Sequence, residues 1–188
     1  MDGPPIPRLE TERLILREWR DTDRTPFAEL NADPLVVEHL TGPLDRAASD
    51  AFVDRIVAHW AEDGHGLWAV ERREDGQFLG FVGLAAPSFA TAFTPCVEIG
   101  WRLAREAWGH GYASEGARAA LRFGFEELGL AEIVSFTVPA NVRSRAVMER
   151  IGMTRDPVDD FDHPNLPEGH PVRRHVLYRL RSSDAAQG

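Results

Sequence analysis

Two glycines, Gly109 and Gly111, stand between a stretch that predicts a strand and one that predicts a helix, in the sequence Trp-Gly-His-Gly-Tyr-Ala. Because glycine lacks a Cβ atom, it leaves the main-chain amides of such a turn accessible. The first amides of a helix have no acceptor within it and lie at the positive end of its dipole. The pattern predicts a site for an anion such as a diphosphate. A Gly-x-Gly turn is also common punctuation, so the motif alone leaves a purely structural role open.

The residues around this turn predict the elements that position it. A helix over Tyr112–Leu128 is indicated because its apolar residues recur every three or four positions. Its apolar face consists of Ala113, Ala117, Ala120, Leu121, Phe125 and Leu128, and its polar face of Glu115, Arg118, Arg122 and Glu126. Strands are predicted at Val97–Leu103 and Glu132–Val138, and a second helix at Asn141–Ile151. A strand, helix, strand unit requires a right-handed crossover, which makes its two strands parallel or nearly so.

The remaining segments predict a further set of strands and helices. They are a strand at Leu9–Trp19, a helix from Asp23 that Pro34 ends, a helix over Asp45–Glu62, strands at Gly66–Arg72 and Phe78–Leu84, and a last strand at Val172–Arg181. Asp75 and Gly76 favour a hairpin between the two middle strands. The 188 residues suit one domain. We expect it to span residues 9–181, with flexible tails at residues 1–8 and 182–188.

The composition excludes several classes of protein. A net charge of −9 argues against binding to nucleic acid, which requires a basic face. The single cysteine, Cys96, excludes an internal disulfide and favours a reducing compartment, so we expect a cytoplasmic protein. The first residues lack the apolar run of a secretory signal. An uncharged stretch over Phe78–Val97 is long enough for a membrane span, but glycines and prolines interrupt it, and we predict two strands and a loop instead.

The glycine turn and its neighbours resemble the GNAT superfamily of acyl-CoA N-acyltransferases. The pyrophosphate loop of that superfamily is Gln/Arg-x-x-Gly-x-Gly/Ala, and residues 108–113 match it except at the first position, where this chain has Trp108. Other segments are similar to its ribosomal-protein N-alpha-acetyltransferase branch. They are Glu10–Arg17, Val97–Leu103, Asn141–Ser144 and Glu149–Met153. Together with the order of the elements, the resemblance covers roughly Leu9 to Leu180.

The resemblance implies an α+β (α/β) fold and acetyl-CoA as the co-substrate. The implied sheet is mixed and mostly antiparallel, with about six or seven strands flanked by helices. Its fourth and fifth strands would form a parallel pair that holds the cofactor. The implied cofactor-binding residues are Trp101, Leu103, Trp108, Gly109, His110, Gly111, Tyr112, Ala113, Asn141 and Ser144.

These residues have different implied roles. Trp101 and Leu103 would border the pantetheine arm, with the Leu103 amide on the thioester carbonyl, and the loop amides would hold the pyrophosphate. Asn141 and Ser144 would face the thioester, although Asn141 is also a good helix N-cap. Trp108 would either cover the cofactor or pack in the core.

Direct acyl transfer needs a neutral amine, a donor for the oxyanion and a fate for the leaving thiolate, but no protein nucleophile. Many members of the superfamily place a tyrosine acid seven residues after the asparagine, and here that position is Met148. We therefore hypothesise that Ser144 donates the proton. Glu98, or a water that it orders, is a weaker candidate for the base, because an ion pair between Glu98 and a neighbouring arginine is the more ordinary interpretation.

Polar residues that could bind metal or substrate cluster before the last strand. They are Asp160, Asp162, His163, Glu168, His170 and His175. The histidine spacing matches no tight ligand motif, so we expect no metal. In the implied fold this loop would border the acceptor pocket, where one histidine could serve as base. Cys96 as a nucleophile is disfavoured against a small buried apolar residue, because no neighbour in sequence would activate it.

The leading functional hypothesis is acetyl transfer to a primary amine. A protein or peptide α-amine is slightly preferred over a small-molecule amine. The missing tyrosine keeps a non-catalytic acyl-CoA-binding module open as an alternative. A dinucleotide-binding oxidoreductase is disfavoured because the turn follows a middle strand and lacks the full Gly-x-Gly-x-x-Gly pattern. A homodimer is the usual outcome for such a protein.

Overall fold

The computed structural model describes residues 6–185, and the elements named here belong to that part of the chain. The strands are β1 (Leu9–Glu10), β2 (Leu14–Arg17), β3 (Leu67–Arg72), β4 (Phe78–Ala85), β5 (Glu98–Leu103), β6 (Glu132–Thr137), β7 (Thr154–Arg155), β8 (Phe161–Asp162) and β9 (Arg174–Arg181). The helices are α1 (Arg24–Ala32), α2 (Arg46–Asp63), α3 (Tyr112–Arg122), α4 (Val142–Arg150) and α5 (Ser182–Ala185). A π-helical turn over Phe123–Glu127 extends α3.

One mixed sheet joins the strands in the order β1-β2-β3-β4-β5-β6-β9-β7, and β8 pairs with β9. All described pairings are antiparallel except β5 with β6, which is parallel. The predicted α+β fold, the hairpin and the parallel pair are thereby confirmed. The described sheet has nine strands rather than six or seven because β1, β7 and β8 contain two residues each. Strand β1 also shifts the parallel pair from fourth and fifth to fifth and sixth.

The prediction of one strand over Leu9–Trp19 is wrong, because the chain turns between β1 and β2. The main-chain N–H of Thr11 donates to the carbonyl of Leu14 at 3.0 Å, which folds β1 back onto β2 as an antiparallel partner. This turn lies against the start of α3. The prediction of one continuous strand failed because branched residues favour strands but do not show where a strand ends.

Both predicted tails are shorter than expected within the described residues. Ile6 packs against the core, and the indole N–H of Trp68 donates to the carbonyl of Pro7 at 2.7 Å. At the other end, Ser182–Ala185 form the helical turn α5. Residues 1–5 and 186–188 of the predicted tails lie outside the described part of the chain.

The helices pack on the two faces of the sheet. The predicted apolar face of α3 is confirmed at Ala117, Ala120 and Leu121, which are buried in the larger core. On the opposite face, Phe27 of α1 and Val53 of α2 pack with other apolar side chains in a second core. No helix of the described chain is both long and apolar enough to cross a bilayer.

The parallel strands β5 and β6 separate along their length. Their ladder has one residue pair, Glu98 with Val134, and the Ser135 hydroxyl donates to the Ile99 carbonyl at 2.9 Å. Beyond this point the strands share no ladder. Every second residue of a strand directs its main-chain N–H and C=O groups to the same neighbouring strand. Ile99 directs its groups toward β6, and Trp101 and Leu103 therefore direct theirs into the gap. The gap opens toward the start of α3.

Candidate active site

A groove of about 760 Å³ runs through the gap between β5 and β6 and reaches both faces of the sheet. Its volume lies within the usual range for small-molecule sites. The predicted site residues that line it are Glu98, Trp101, Leu103, Trp108, Gly109, Gly111, Tyr112, Ala113, Asn141 and Ser144. His110 belongs to the same loop but does not line the groove. The sequence therefore identified residues that the fold brings together from β5, the loop, α3 and α4.

The loop before α3 presents a run of free main-chain donors. Within the described structure, no protein acceptor binds an amide from Gly109 to Ala113. Gly109 and Gly111 have φ angles of +79° and +82°, a conformation that other residues adopt only with strain. A Cβ on Gly109 would meet no atom within 4 Å. The glycines are required here because they turn the chain, rather than because space is short.

A brace that sequence reasoning missed holds this loop against α3. The Arg13 guanidinium donates to the His110 carbonyl at 2.9 Å and to the Glu115 carboxylate at 2.7 Å. The Thr11 hydroxyl donates to the same carboxylate at 2.6 Å, and these contacts keep the pKa of Glu115 below its usual value despite the opposing desolvation. The only signal was that Thr11 and Arg13 lie in a segment similar to the superfamily.

Trp108 is held in place at the start of the loop by contacts on its edge and its face. Its indole N–H donates to the Leu103 carbonyl at 2.9 Å, and the Arg143 guanidinium lies 4.2 Å from the ring centroid. Arg143 also approaches the Glu38 carboxylate at 3.4 Å. The ring is half-buried, packs against the core and lines the groove. Its core position is confirmed, and its contact with the cofactor stays a prediction.

Asn141 and Ser144 form the first turn of α4 beside the gap. The Asn141 carbonyl oxygen accepts from the Ser144 amide at 3.1 Å, and its amide nitrogen donates to the Thr137 hydroxyl at 3.0 Å. Asn141 is thus the predicted N-cap, and it also lines the groove. The Ser144 hydroxyl has no hydrogen-bond partner in the described chain. It therefore remains available to a molecule in the groove.

Glu98 belongs to the ladder pair between β5 and β6. Its side chain is half-buried and lines the groove. The alternative interpretation, an ion pair with an arginine, is wrong, because no described residue forms a salt bridge or a side-chain hydrogen bond with this carboxylate. Desolvation raises its pKa to about 8. A carboxyl group with that pKa can gain and lose a proton near neutral pH.

No tyrosine takes the acid position at this end of the groove. Met148 is 2% exposed and packs in the core. Of the two tyrosines, Tyr112 is the first residue of α3, and the Tyr178 hydroxyl donates to the Glu149 carboxylate at 2.8 Å. Ser144, which lines the groove with a free hydroxyl, therefore stays the predicted donor.

The histidine loop lies beside the groove but does not line it. His163 and His175 pack in a cluster with aromatic rings, including Phe89 and Phe161, at centroid distances of 4.5–5.4 Å. Burial lowers the pKa of both histidines, which favours their neutral form. Neither these two nor His170 is among the residues that line the groove. The described residues contain no group of three or more potential metal ligands.

Cys96 has the properties of an inactive thiol. Burial, together with the nearby Glu98 carboxylate, raises the pKa of Cys96 to about 11. A nucleophilic cysteine needs a lowered pKa. The disfavoured role of Cys96 as a carrier of the acyl group thus has no electrostatic support.

Arg102 is a groove residue that sequence reasoning did not single out. Its guanidinium donates to the Asn31 side-chain oxygen at 2.5 Å and lies 5.5 and 5.6 Å from the ring centroids of Phe52 and Phe81. Desolvation lowers the pKa of Arg102 to about 10, so it is still charged near neutral pH. Its partners come from α1, α2 and β4, and no local sequence pattern connects them.

Comparison with known proteins identifies the family of this chain. Residues 13–154 match the family model described as Acetyltransferase (GNAT) domain. An FsC-acetyl coenzyme A-N(2)-transacetylase of Aspergillus fumigatus is 43% identical over 158 residues, which covers 79% of this chain and 65% of that protein. The crystal structure of an acetyltransferase from Agrobacterium tumefaciens superposes with a TM-score of 0.77 at 33% identity, covering 96% of this chain and 98% of the other.

A ribosomal-protein-S5-alanine acetyltransferase from Vibrio fischeri shares the fold, with a TM-score of 0.74 at 14% identity over 95% of this chain and 98% of that one. At this identity the likeness concerns the fold alone. The family match covers most of the chain, and the chain therefore belongs to the GNAT acetyltransferases. It is an N-acetyltransferase that depends on acetyl-CoA.

Proposed function

We propose that this enzyme acetylates a primary amine by direct transfer in a ternary complex, with the coenzyme A pyrophosphate on the amides of Gly109–Ala113. The observation that supports the proposal is the run of free amides at the N-terminus of α3. These amides lie in the same groove as the gap between β5 and β6. A helix N-terminus with unpaired donors stabilises phosphate through hydrogen bonds and through the helix dipole. Acetyl-CoA supplies the activated acetyl group.

Glu98 is the proposed general base. Its carboxylate lines the groove without a protein partner, and its pKa of about 8 is close to that of an α-amine, at about 7.7–8.0. Proton transfer is most effective when the pKa of the base lies near the working pH. A lysine side chain, with a pKa of about 10.4, would be harder for this carboxylate to deprotonate.

The acceptor in this proposal is therefore an α-amine, of a protein, a peptide or a small molecule. The similarity of several segments to the N-alpha-acetyltransferase branch supports the same choice. A cytoplasmic location and a homodimer stay predictions from the sequence.

Ser144 is the proposed proton donor to the leaving thiolate. Its amide is fixed by the Asn141 cap, while its hydroxyl has no partner in the described chain and lines the groove. A thiol with a pKa near about 8.5 can leave without full protonation. Because serine is a weaker acid than tyrosine, its contribution is modest, and the proton that its hydroxyl gives to the thiolate is replaced from solvent.

A non-catalytic acyl-CoA-binding module is the second candidate, because Met148 occupies the acid position. Such a module would bind acetyl-CoA through the same loop and release no thiol in the presence of an amine. The Glu98 carboxylate, which has no partner in the described chain, favours catalysis, because carboxyl groups with a perturbed pKa in a groove are typical of catalytic sites.

The test combines a titration with a turnover assay. We expect saturable acetyl-CoA binding by calorimetry, and amine-dependent release of free thiol with a panel of α-amines, ω-amines and peptides that differ in their first residue. Binding without any thiol release across the panel would favour the module. No detectable binding would contradict the proposed role of the loop.

A further inference from the structure

We propose that Arg102 binds an acidic group on the acceptor, so that the preferred substrate is an amine with a carboxylate only a few bonds away. The inference rests on the proposed function, because it assigns the acceptor half of the same groove. The contacts of Arg102 within that half support it.

Arg102 has no counter-ion in the described part of the chain. Among the described residues, no carboxylate forms a salt bridge with its guanidinium, and the Asn31 side chain supplies its one hydrogen-bond acceptor. Asn31 is fully buried, and its amide nitrogen donates to the Ser49 hydroxyl at 3.0 Å. The Asn31 oxygen is thereby fixed toward Arg102. This network holds the guanidinium in one position and leaves its other N–H groups for a further acceptor.

The surroundings of Arg102 make an unpaired charge costly. The rings of Phe52 and Phe81 lie beside the guanidinium, and Val36 packs against the same apolar cluster as these rings. Cation–π contacts recover about 0.5–2 kcal/mol, whereas the desolvation of a charge costs several kcal/mol. A carboxylate bound to both free nitrogens would satisfy the fork geometry of the guanidinium.

The position of Arg102 relative to Glu98 sets the size of the acceptor. Glu98, Gly100 and Arg102 point to one face of β5, because side chains alternate along a strand. A Cβ built on Gly100 would have no neighbour within 4 Å, so this position leaves open space between the two charged residues. Their Cα atoms lie about 13 Å apart at the usual rise per residue. An acceptor with its ammonium near Glu98 and its carboxylate near Arg102 fits between them.

The first experiment measures acetyl transfer to matched pairs of acceptors. Each pair consists of an α-amino acid amide with a side-chain carboxylate and its counterpart with a side-chain amide, in a series of increasing side-chain length that begins with Asp and Asn. A second set contains peptides with Asp or Asn, or with Glu or Gln, at the first position. Thiol release gives kcat and KM for every compound. The two sets separate a small amino acid derivative from an acidic peptide as the source of the carboxylate.

We expect the carboxylate member of at least one pair to exceed its amide in kcat/KM by about 10- to 100-fold, as a charge-assisted hydrogen bond provides. In Arg102→Met this preference should disappear, because KM for the acid rises to that for the amide. Arg102→Lys should retain part of the preference because it keeps the charge. Arg46→Met, which removes an exposed arginine on α2, serves as the matched control.

Binding without turnover keeps this inference separate from the proposed function. The thermal stabilisation of the coenzyme A complex by each acid and each amide reports binding in every variant, after circular dichroism has confirmed folding. Stabilisation by the acid alone, lost in Arg102→Met, supports the inference even if no thiol is released. Equal binding of acid and amide to the wild-type enzyme, or a preference that survives in Arg102→Met, overturns it, whatever the turnover assay shows.

Discussion

The two halves of the groove are built in different ways. At the proposed phosphate end, the available donors are the main-chain amides of five consecutive residues, Gly109–Ala113, in a loop that side chains brace. At the proposed acceptor end, the charged side chains lie on β5, and their surroundings come from α1 and α2, which are far apart from β5 in the sequence. We therefore expect cofactor binding to depend on backbone conformation and acceptor binding to depend on the identity of a few residues.

The largest expected effect belongs to the acceptor half. Glu98→Gln should lower kcat/KM by about 100-fold or more, the lower range for the loss of a general base. In the wild-type enzyme, kcat/KM should rise with pH through about 8, because the carboxyl must lose its proton before it can accept one. With an acceptor whose amine titrates well below that pH, the rise should vanish in the variant.

A matched control for Glu98 is the exposed Glu126→Gln on the same protein. It should keep both the rate and the pH profile of the wild-type enzyme. A Glu98→Gln variant with an unaltered profile would show that another group takes the proton, and the contrast between the two halves would lose its catalytic side.

The next effect tests the backbone at the phosphate end. Gly111→Ala should weaken acetyl-CoA binding by about 10- to 100-fold, measured by calorimetry, because an alanine strains the φ of +82° and turns the amides away. Gly64→Ala at the end of α2, where φ is +69°, should lower thermal stability in the same way but leave binding intact. Equal affinities in the two variants would mean that the loop conformation does not matter for binding.

A smaller effect concerns the thioester end. Ser144→Ala should lower kcat by about tenfold with little change in acetyl-CoA affinity, because protonation assists the departure of a thiol but is not essential. Ser144→Thr keeps a hydroxyl and should recover much of the loss. Unchanged turnover in Ser144→Ala would reject this residue as the donor.

The smallest effect concerns the brace. Arg13→Met removes the guanidinium contacts to His110 and Glu115 and should weaken acetyl-CoA binding by about three- to tenfold, because the loop then has to be ordered on binding. A double variant with Glu115→Gln should lose less than the sum of the two single losses, since the residues act together. Arg122→Met, on the exposed face of α3, should have no effect. Additive losses would indicate that Arg13 acts alone.

The sequence predicted the phosphate half well because its information is local. The strand Val97–Leu103, the glycine turn and the apolar face of α3 follow from residue spacing over fewer than about twenty positions. The break between β1 and β2 escaped prediction because it depends on Thr11 meeting Glu115, 104 residues later.

The acceptor half was harder to predict for the same physical reason. Arg102 meets Asn31 across 71 residues, and nothing in the spacing of either residue indicates the contact. The sequence predicted Glu98 as a candidate site residue but not that its carboxylate is unpaired. An ion pair with an arginine is the usual outcome for a glutamate next to arginine-rich segments. Only the packing of β5 against β4 and β6 shows that no arginine reaches it.

The separation of β5 and β6 affects how fast the main-chain amide hydrogens of the sheet exchange with solvent. Central strands usually exchange their amide hydrogens slowly, and exposed outer strands exchange them fast. Here the amides of Trp101 and Leu103 lie in the middle of the sheet but face a gap, so in the ligand-free enzyme they should exchange with solvent as quickly as those of an outer strand. Slow exchange at both amides without ligand would show that the gap is closed in solution.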